Sequence, residues 1–168
     1  MVLVLNSTPL IYLGKTEALE LFEELEERKL TSQTVYDEVV KKGKTIGAED
    51  SFLVEKLFEE EIIEIENIKK EGLLEKLNEI PGLHKADSEV LTLARQSSGI
   101  AIIDDEKARN VADLKNIPNH GTAYLLLKLE KTGNLSKEKA RKILDKMIKE
   151  GWRCSTEIYA EILKALDF

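Results

Sequence analysis

Two stretches of the chain are apolar without interruption, Val2-Leu3-Val4-Leu5 and Ile100-Ala101-Ile102-Ile103. Half-exposed strands alternate in polarity, whereas strands covered by helices on both faces read as continuous apolar runs. These two segments therefore predict buried parallel strands. Ile62-Ile63-Glu64-Ile65-Glu66 alternates in part and predicts a more peripheral strand, and Lys29-Leu30-Thr31 a short fourth one. Elsewhere the apolar positions recur at helical spacing, with Asp50 to Glu60, Leu73 to Glu79, Lys85 to Gln96 and Gly121 to Lys131 as helices. Ala140, Ile143, Leu144, Met147 and Ile148 form a regular stripe, and Ile158, Ile162, Leu163 and Leu166 a last amphipathic helix. Thr8 before Pro9 predicts an N-cap with proline at the first helical position. Ser32 predicts the cap of a helix carrying Val35, Val39 and Val40. Pro81-Gly82 and Pro118-Asn119 read as simple turns. Strands that alternate with helices imply an α/β fold, three-layer α/β/α with a central parallel sheet of the doubly wound type.

Length and composition narrow this further. A chain of 168 residues with no internal repeat and no low-complexity linker predicts a single domain, 1–168, with the helices of 136–168 packed on it. No apolar run approaches the roughly 20 residues of a membrane span, and the N-terminus lacks the basic leader of a signal peptide, so the expected compartment is the cytoplasm. Cys154 is the only cysteine, which excludes an internal disulfide and a cysteine-based metal cluster. Beside Trp152 it reads as a small hydrophobe. With 25 Lys+Arg against 32 Asp+Glu, the net charge of -7 argues against bulk attraction to nucleic acid. Many of the acids are expected on solvated helix faces, such as Glu20-Glu23-Glu24-Glu26-Glu27 and Glu59-Glu60-Glu61. Abundant Glu and Lys with only two glutamines suggest a thermophile.

The residues that could carry chemistry are acids at apolar boundaries. In an open parallel sheet, ligands bind beyond the carboxyl ends of the strands. Asn6 follows the first buried strand, and Asp104 and Asp105 follow the second. Asp87 heads the helical face Asp87, Val90, Leu91, Ala94, so it faces the interior or a cleft, where a carboxylate needs a partner. Helix capping is the plainer role for Asp87. Glu38 borders the face of Val35 and Val39, with pairing to Lys41 or Lys42 as its plainer role. One of Asp104 and Asp105 is expected to cap the helix Glu106–Leu114. Several carboxylates brought together repel one another unless a divalent cation neutralises them, and hard cations such as Mg²⁺ and Mn²⁺ take oxygen ligands. His84 and His120 stand alone in turn-like contexts and read as structural. There is no Ser-His-Asp motif and no glycine-rich phosphate loop.

In order and spacing these segments resemble the PIN domain, the fold of many prokaryotic toxin ribonucleases. They are the strand-end Asn6-Ser7-Thr8-Pro9-Leu10-Ile11, the helical Val35-Tyr36-Asp37-Glu38-Val39, the helix opening Ala86-Asp87-Ser88-Glu89-Val90-Leu91, and the strand-end Ile103-Asp104-Asp105-Glu106-Lys107-Ala108-Arg109. The tail from Gly121-Thr122-Ala123 through Trp152-Arg153-Cys154-Ser155 resembles an uncharacterised prokaryotic subfamily of PIN proteins. The resemblance covers nearly the whole chain.

It implies Mg²⁺- or Mn²⁺-dependent cleavage of RNA, with Asn6, Glu38, Asp87, Asp104 and Asp105 as catalytic candidates. Asp87 and Asp104 or Asp105 would hold the metal, with Asn6 lending an amide oxygen. Glu38 would complete the acidic pocket or orient the attacking water, Ser7 and Thr8 would bond a ligand carboxylate or the substrate phosphate, and Arg109 would meet the substrate phosphate. It further implies a homodimer and a small antitoxin partner. RNA binding would rest on a local patch drawn from Lys41, Lys42, Lys44, Lys107 and Arg109.

One position departs from the family pattern. The first acid is usually Asp, and here it is Asn6, which carries no charge. The alternative to an active nuclease is therefore a catalytically degenerate module that binds RNA or protein. A phosphatase of the haloacid-dehalogenase type needs a nucleophilic Asp after the first strand, and Asn6 excludes it.

Overall fold

A computed structural model describes all 168 residues. Its centre is a five-stranded, all-parallel sheet in the order β3-β2-β1-β4-β5. The strands are β1 (Val2–Leu5), β2 (Arg28–Thr31), β3 (Glu64–Ile65), β4 (Ile100–Ile102) and β5 (Asn119–His120). The two apolar runs lie side by side at the middle, with Val4 opposite Ala101, and Leu3, Val4, Leu5, Ala101 and Ile102 fully buried. Helices cover both faces, giving a three-layer α/β/α fold. Between β1 and β2 comes α1 (Ser7–Lys15). Between β2 and β3 lie α2 (Gln33–Tyr36), a π-helical stretch (Asp37–Lys42), α3 (Gly43–Thr45) and α4 (Asp50–Glu59). The chain then forms α5 (Glu71–Asn78) and α6 (Lys85–Ser97) before β4, α7 (Glu106–Leu114) before β5, and finally α8 (Ala123–Lys131), α9 (Lys137–Lys149) and α10 (Thr156–Ala165).

Ala140, Ile143, Leu144 and Met147 seat α9 on α1 and α8, and α10 rests on α8. A single apolar core of 43 buried residues runs from Leu3 to Leu166, so these C-terminal helices share the core of the sheet rather than forming one of their own. No helix is long and apolar enough to cross a membrane.

The connectivity fixes where a ligand can sit. After β1 the chain moves outward through β2 to β3, then returns across the sheet to place β4 on the other side of β1. The point where the strand order reverses, between the carboxyl ends of β1 and β4, leaves a crevice because the loops there depart in opposite directions.

Several sequence expectations need correction. Pro118-Asn119 is not a simple turn: Asn119 and His120 form the edge strand β5, paired with Ala101 and Ile102. Two residues carry too little periodicity to announce a strand. The acids from Glu20 to Glu27 lie on a 3₁₀ turn (Leu19–Phe22) and the irregular segment after it rather than on a solvated helix, and Glu27 is ion-paired to Lys128 at 2.6 Å. Helix α1 begins at Ser7 with Asn6 as its cap, two residues earlier than a Thr8 cap would place it.

Candidate functional site

Each strand end delivers one part of the site. Asn6 continues the β1 ladder, its backbone N–H donating to the Ile102 carbonyl at 3.1 Å, and then turns the chain into α1. Its side-chain Oδ1 accepts the Ser7 backbone N–H at 2.9 Å, which caps the helix. That bond fixes which way the amide faces, since a flipped amide would set two donors against each other. The amide nitrogen therefore points outward from the cap, and it donates to Asp87 Oδ1 at 2.7 Å. Asp87 heads α6 as its sequence suggested and is only 4% exposed; its second oxygen accepts the His84 backbone N–H at 3.3 Å.

Glu38 reaches the same place from the other side of β1. Its Oε2 accepts the Ser7 hydroxyl at 2.5 Å, while the neighbouring Lys41 pairs with Asp37 instead, at 2.7 Å. The π-helical stretch that carries Glu38 holds one extra residue per turn, a departure from regular helix that recurs at functional sites. Asp105 caps α7 by accepting the Ala108 N–H at 2.8 Å through Oδ1. Its negative charge is felt at Asp87: burial first, and then Asp105, push the Asp87 carboxyl above its ordinary 3.8, against the pull of the Asn6 hydrogen bond. Hydrogen bonds thus tie Asn6 to Asp87 and Ser7 to Glu38 at the carboxyl end of β1, with the charge of Asp105 near Asp87.

Asp104 does not join them. It turns the other way, its Oδ1 accepting the Thr122 N–H at 2.9 Å and its Oδ2 the Thr122 hydroxyl. Burial raises its pKa and the Thr122 bonds counter that rise. The Trp152 indole lies beside Asp104, its buried N–H completing no hydrogen bond. Gly121 makes this approach feasible, because a Cβ there would stand 2.9 Å from Asp104 Oδ1. Asp104, Asp105, Thr8 and Arg109 line one cleft of about 780 Å³ between α1, α7 and the Gly151–Arg153 segment.

A family model described as a PIN domain matches residues 2–167. The chain belongs to the PIN-domain family. No curated protein has a matching sequence. The PIN domain is a nuclease-type fold, and its members generally use divalent metal ions.

Whether this PIN domain's own residues suit such an ion can be tested on their donors. The carboxylates of Asp87, Asp105 and Glu38 offer the hard oxygens that Mg²⁺ and Mn²⁺ prefer. Asn6 turns its amide nitrogen to Asp87 and gives one lone pair of its oxygen to the Ser7 N–H. As the side chains stand, no three acids are close enough together to share an ion. The amide hydrogen bond to Asp87 takes the place where the family's first carboxylate would add a negative charge.

The expected basic patch also disperses. Lys44 is committed to Glu55 and Lys107 to the Pro81 carbonyl, while Arg109 reaches Asn119 at 3.3 Å. Lys41 and Lys42 instead flank an open groove beside Glu38, together with Lys85. The sequence reading passed over Glu89, which is 7% exposed and accepts the Thr34 hydroxyl at 2.9 Å. Glu89 lies two positions after Asp87, a place where a helix that packs on one face only would expose it. It also passed over Thr122, whose sole signal was its position after the glycine that admits Asp104.

Proposed function

We propose that this PIN domain is a ribonuclease that hydrolyses phosphodiesters with a divalent cation, Mg²⁺ or Mn²⁺, held by Asp87 and Asp105 and bordered by Glu38. What supports the reading is that α6 brings Asp87 to Asn6, the π-helical stretch brings Glu38 to Ser7, and Asp105 at the β4 end lies near Asp87, all about the carboxyl ends of the central strands. Asp87 there is buried and further burdened by the charge of Asp105. A cation bound to such carboxylates neutralises them and offsets the charge that develops on the phosphoryl oxygens.

The chain's own groups supply the remaining steps. Ser7 holds Glu38 through Oε2, leaving Oε1 free to take a proton from an attacking water. The water oxygen bonds to phosphorus, the opposite P–O bond breaks in line, and the departing oxygen takes a proton from solvent. Arg109, which lines the cleft with Asp105, would meet the flanking phosphate. The role of a toxin held by a small antitoxin, and a homodimer, belong to the same proposal. Ile46, Phe52 and Leu53, all at least half exposed, are the apolar surface we assign to such contacts.

A second reading has a specific observation in its favour. The Asn6 amino group already satisfies Asp87 without a cation, as a degenerate binding module would require. Cleavage of mixed RNA oligomers with Mn²⁺, by the parent protein and by Asn6→Asp, Asp87→Asn and Asp105→Asn variants, separates the two. Activity in the parent that Asp87→Asn and Asp105→Asn each abolish supports the nuclease. Activity only in Asn6→Asp supports the degenerate module. Silence from both the parent and Asn6→Asp ends the nuclease assignment.

A further inference from the structure

We propose that the imidazole of His120, stacked on Tyr124 beside Arg109, is a platform for an unpaired nucleobase next to the phosphate held in the cleft. The inference rests on the nuclease reading and adds to it a subsite that none of the candidate residues includes. His120 ends β5, and its carbonyl accepts the Ile103 N–H at 2.8 Å. It therefore stands beside the strand that delivers Asp104 and Asp105, on the ligand-binding edge of the sheet. The two rings lie nearly parallel, with centroids 4.2 Å apart and planes 12° from each other. Tyr124 is half-buried in the first turn of α8, whereas His120 is exposed. One face of the imidazole is thus backed by an aromatic ring while the residue as a whole remains open to solvent.

The platform is rigidly tied to the site. The next residue, Gly121, lies against Asp104, and the one after it, Thr122, donates two hydrogen bonds to the same carboxylate. Arg109 spans the gap between platform and cleft. Its Nε donates to Asn119 at 3.3 Å, its Nη1 lies 3.9 Å from where a Gly121 Cβ would be, and it lines the cleft together with Asp105. A cation for a phosphate and an aromatic face for a base, set side by side, is what one nucleotide of a single strand requires. A duplex offers no free base face, so the platform serves unpaired nucleotides only.

The test uses the full-length protein and single-stranded RNA oligomers in which 2-aminopurine is moved one position at a time, with binding followed in EDTA and again in Mg²⁺. Emission should fall on binding for one position of the label. His120→Ala should abolish that quench and weaken binding by roughly ten- to a hundredfold, the range for losing one stacked base. His120→Phe should retain both, and the same sequence as a duplex should show neither. RNA that binds or is cut with no quench sensitive to His120 overturns the platform and leaves the nuclease reading intact. RNA that binds in neither condition and is not cut overturns both.

Discussion

The amide of Asn6 does two things that a carboxylate at the same position could not do together: it caps α1 through its oxygen and donates a hydrogen bond to a neighbouring acid through its nitrogen. Asn6→Asp would keep the cap but set a carboxylate against Asp87 where a 2.7 Å hydrogen bond now stands. Removing the donor from a buried acceptor costs about 1–3 kcal/mol, so this variant should melt at lower temperature than the parent in EDTA. Added Mn²⁺ should restore its melting temperature and bind roughly ten- to a hundredfold more tightly than to the parent, the range that single changes around a metal site produce. Equal melting curves in EDTA would show that Asp87 does not depend on the Asn6 amide. Asp87 also leaves a mark on pH dependence. Burial, then the charge of Asp105, raise its folded pKa above the ordinary 3.8, so the folded state binds its proton more readily than the unfolded chain does. The stability linked to this proton is fully present below the unfolded pKa and is lost as pH rises through the folded one. The parent should therefore gain stability as pH falls from neutrality toward the folded pKa, and Asp87→Asn should gain less. Urea unfolding of both proteins between pH 7.5 and 4 measures the difference, and parallel curves would contradict the shift. The lowered carboxyls in exposed ion pairs, such as Glu64 with Arg28, act only lower in that range and contribute little.

At the scale of elements, the pair Asp104-Asp105 divides its labour according to where β4 stops. Ile102 ends the strand, Asp104 falls back under Thr122, and Asp105 begins α7 as its cap. Asparagine caps helices as well as aspartate does, so Asp105→Asn removes a charge while leaving α7 in place. Mn²⁺ affinity, read by calorimetry, should fall about tenfold or more in that variant and stay close to the parent's in Asp104→Asn. The reverse ranking would make Asp104 the ligand and require it to leave Thr122. Much of this was legible beforehand. The continuous runs Val2–Leu5 and Ile100–Ile103 announced the central strands, and the stripe beginning at Asp87 announced a buried acid, because an apolar face orients everything on it. The same logic explains what stayed hidden. Glu89 lies off that stripe yet is buried, its carboxylate accepting the Thr34 hydroxyl of α2, a tertiary contact that hydrophobic periodicity does not reveal. The π-helical stretch around Glu38, the two-residue β5 and the choice between Asp104 and Asp105 each turn on a shift of one residue, finer than hydrophobic periodicity resolves. The direction of the Asn6 amide is subtler still, since it depends on the hydrogen of a single backbone N–H.

For the molecule as a whole, the question is whether the C-terminal helices are an attachment or part of the unit that holds the site. The apolar core runs without a break from β1 to α10, and Met147 is fully buried where α9 meets α1 and α8. We infer one cooperative domain over 1–168. Trp152, the only tryptophan, is 6% exposed in the segment between α9 and α10 and lies beside Asp104, so its fluorescence reports the junction of the C-terminal helices with the sheet. Far-UV circular dichroism reports all the helices at once. In a single cooperative unit the two signals change together in urea, as they do for small two-state domains. Met147→Ala leaves a cavity in α9 and Leu91→Ala one in α6, and each should cost about 2–5 kcal/mol. In one unit both substitutions shift both signals equally, whichever side of the molecule carries the cavity. If α9 and α10 were a separate unit, Met147→Ala would move the tryptophan transition to lower urea and leave a later transition, from the sheet and α6, where it was. That outcome would also detach Trp152 from Asp104 while the Asn6–Asp87 pair stayed formed, so binding at the acids would survive the first transition. Coincident transitions in both variants would mean instead that the acids at the switch point keep their geometry only while all ten helices are in place.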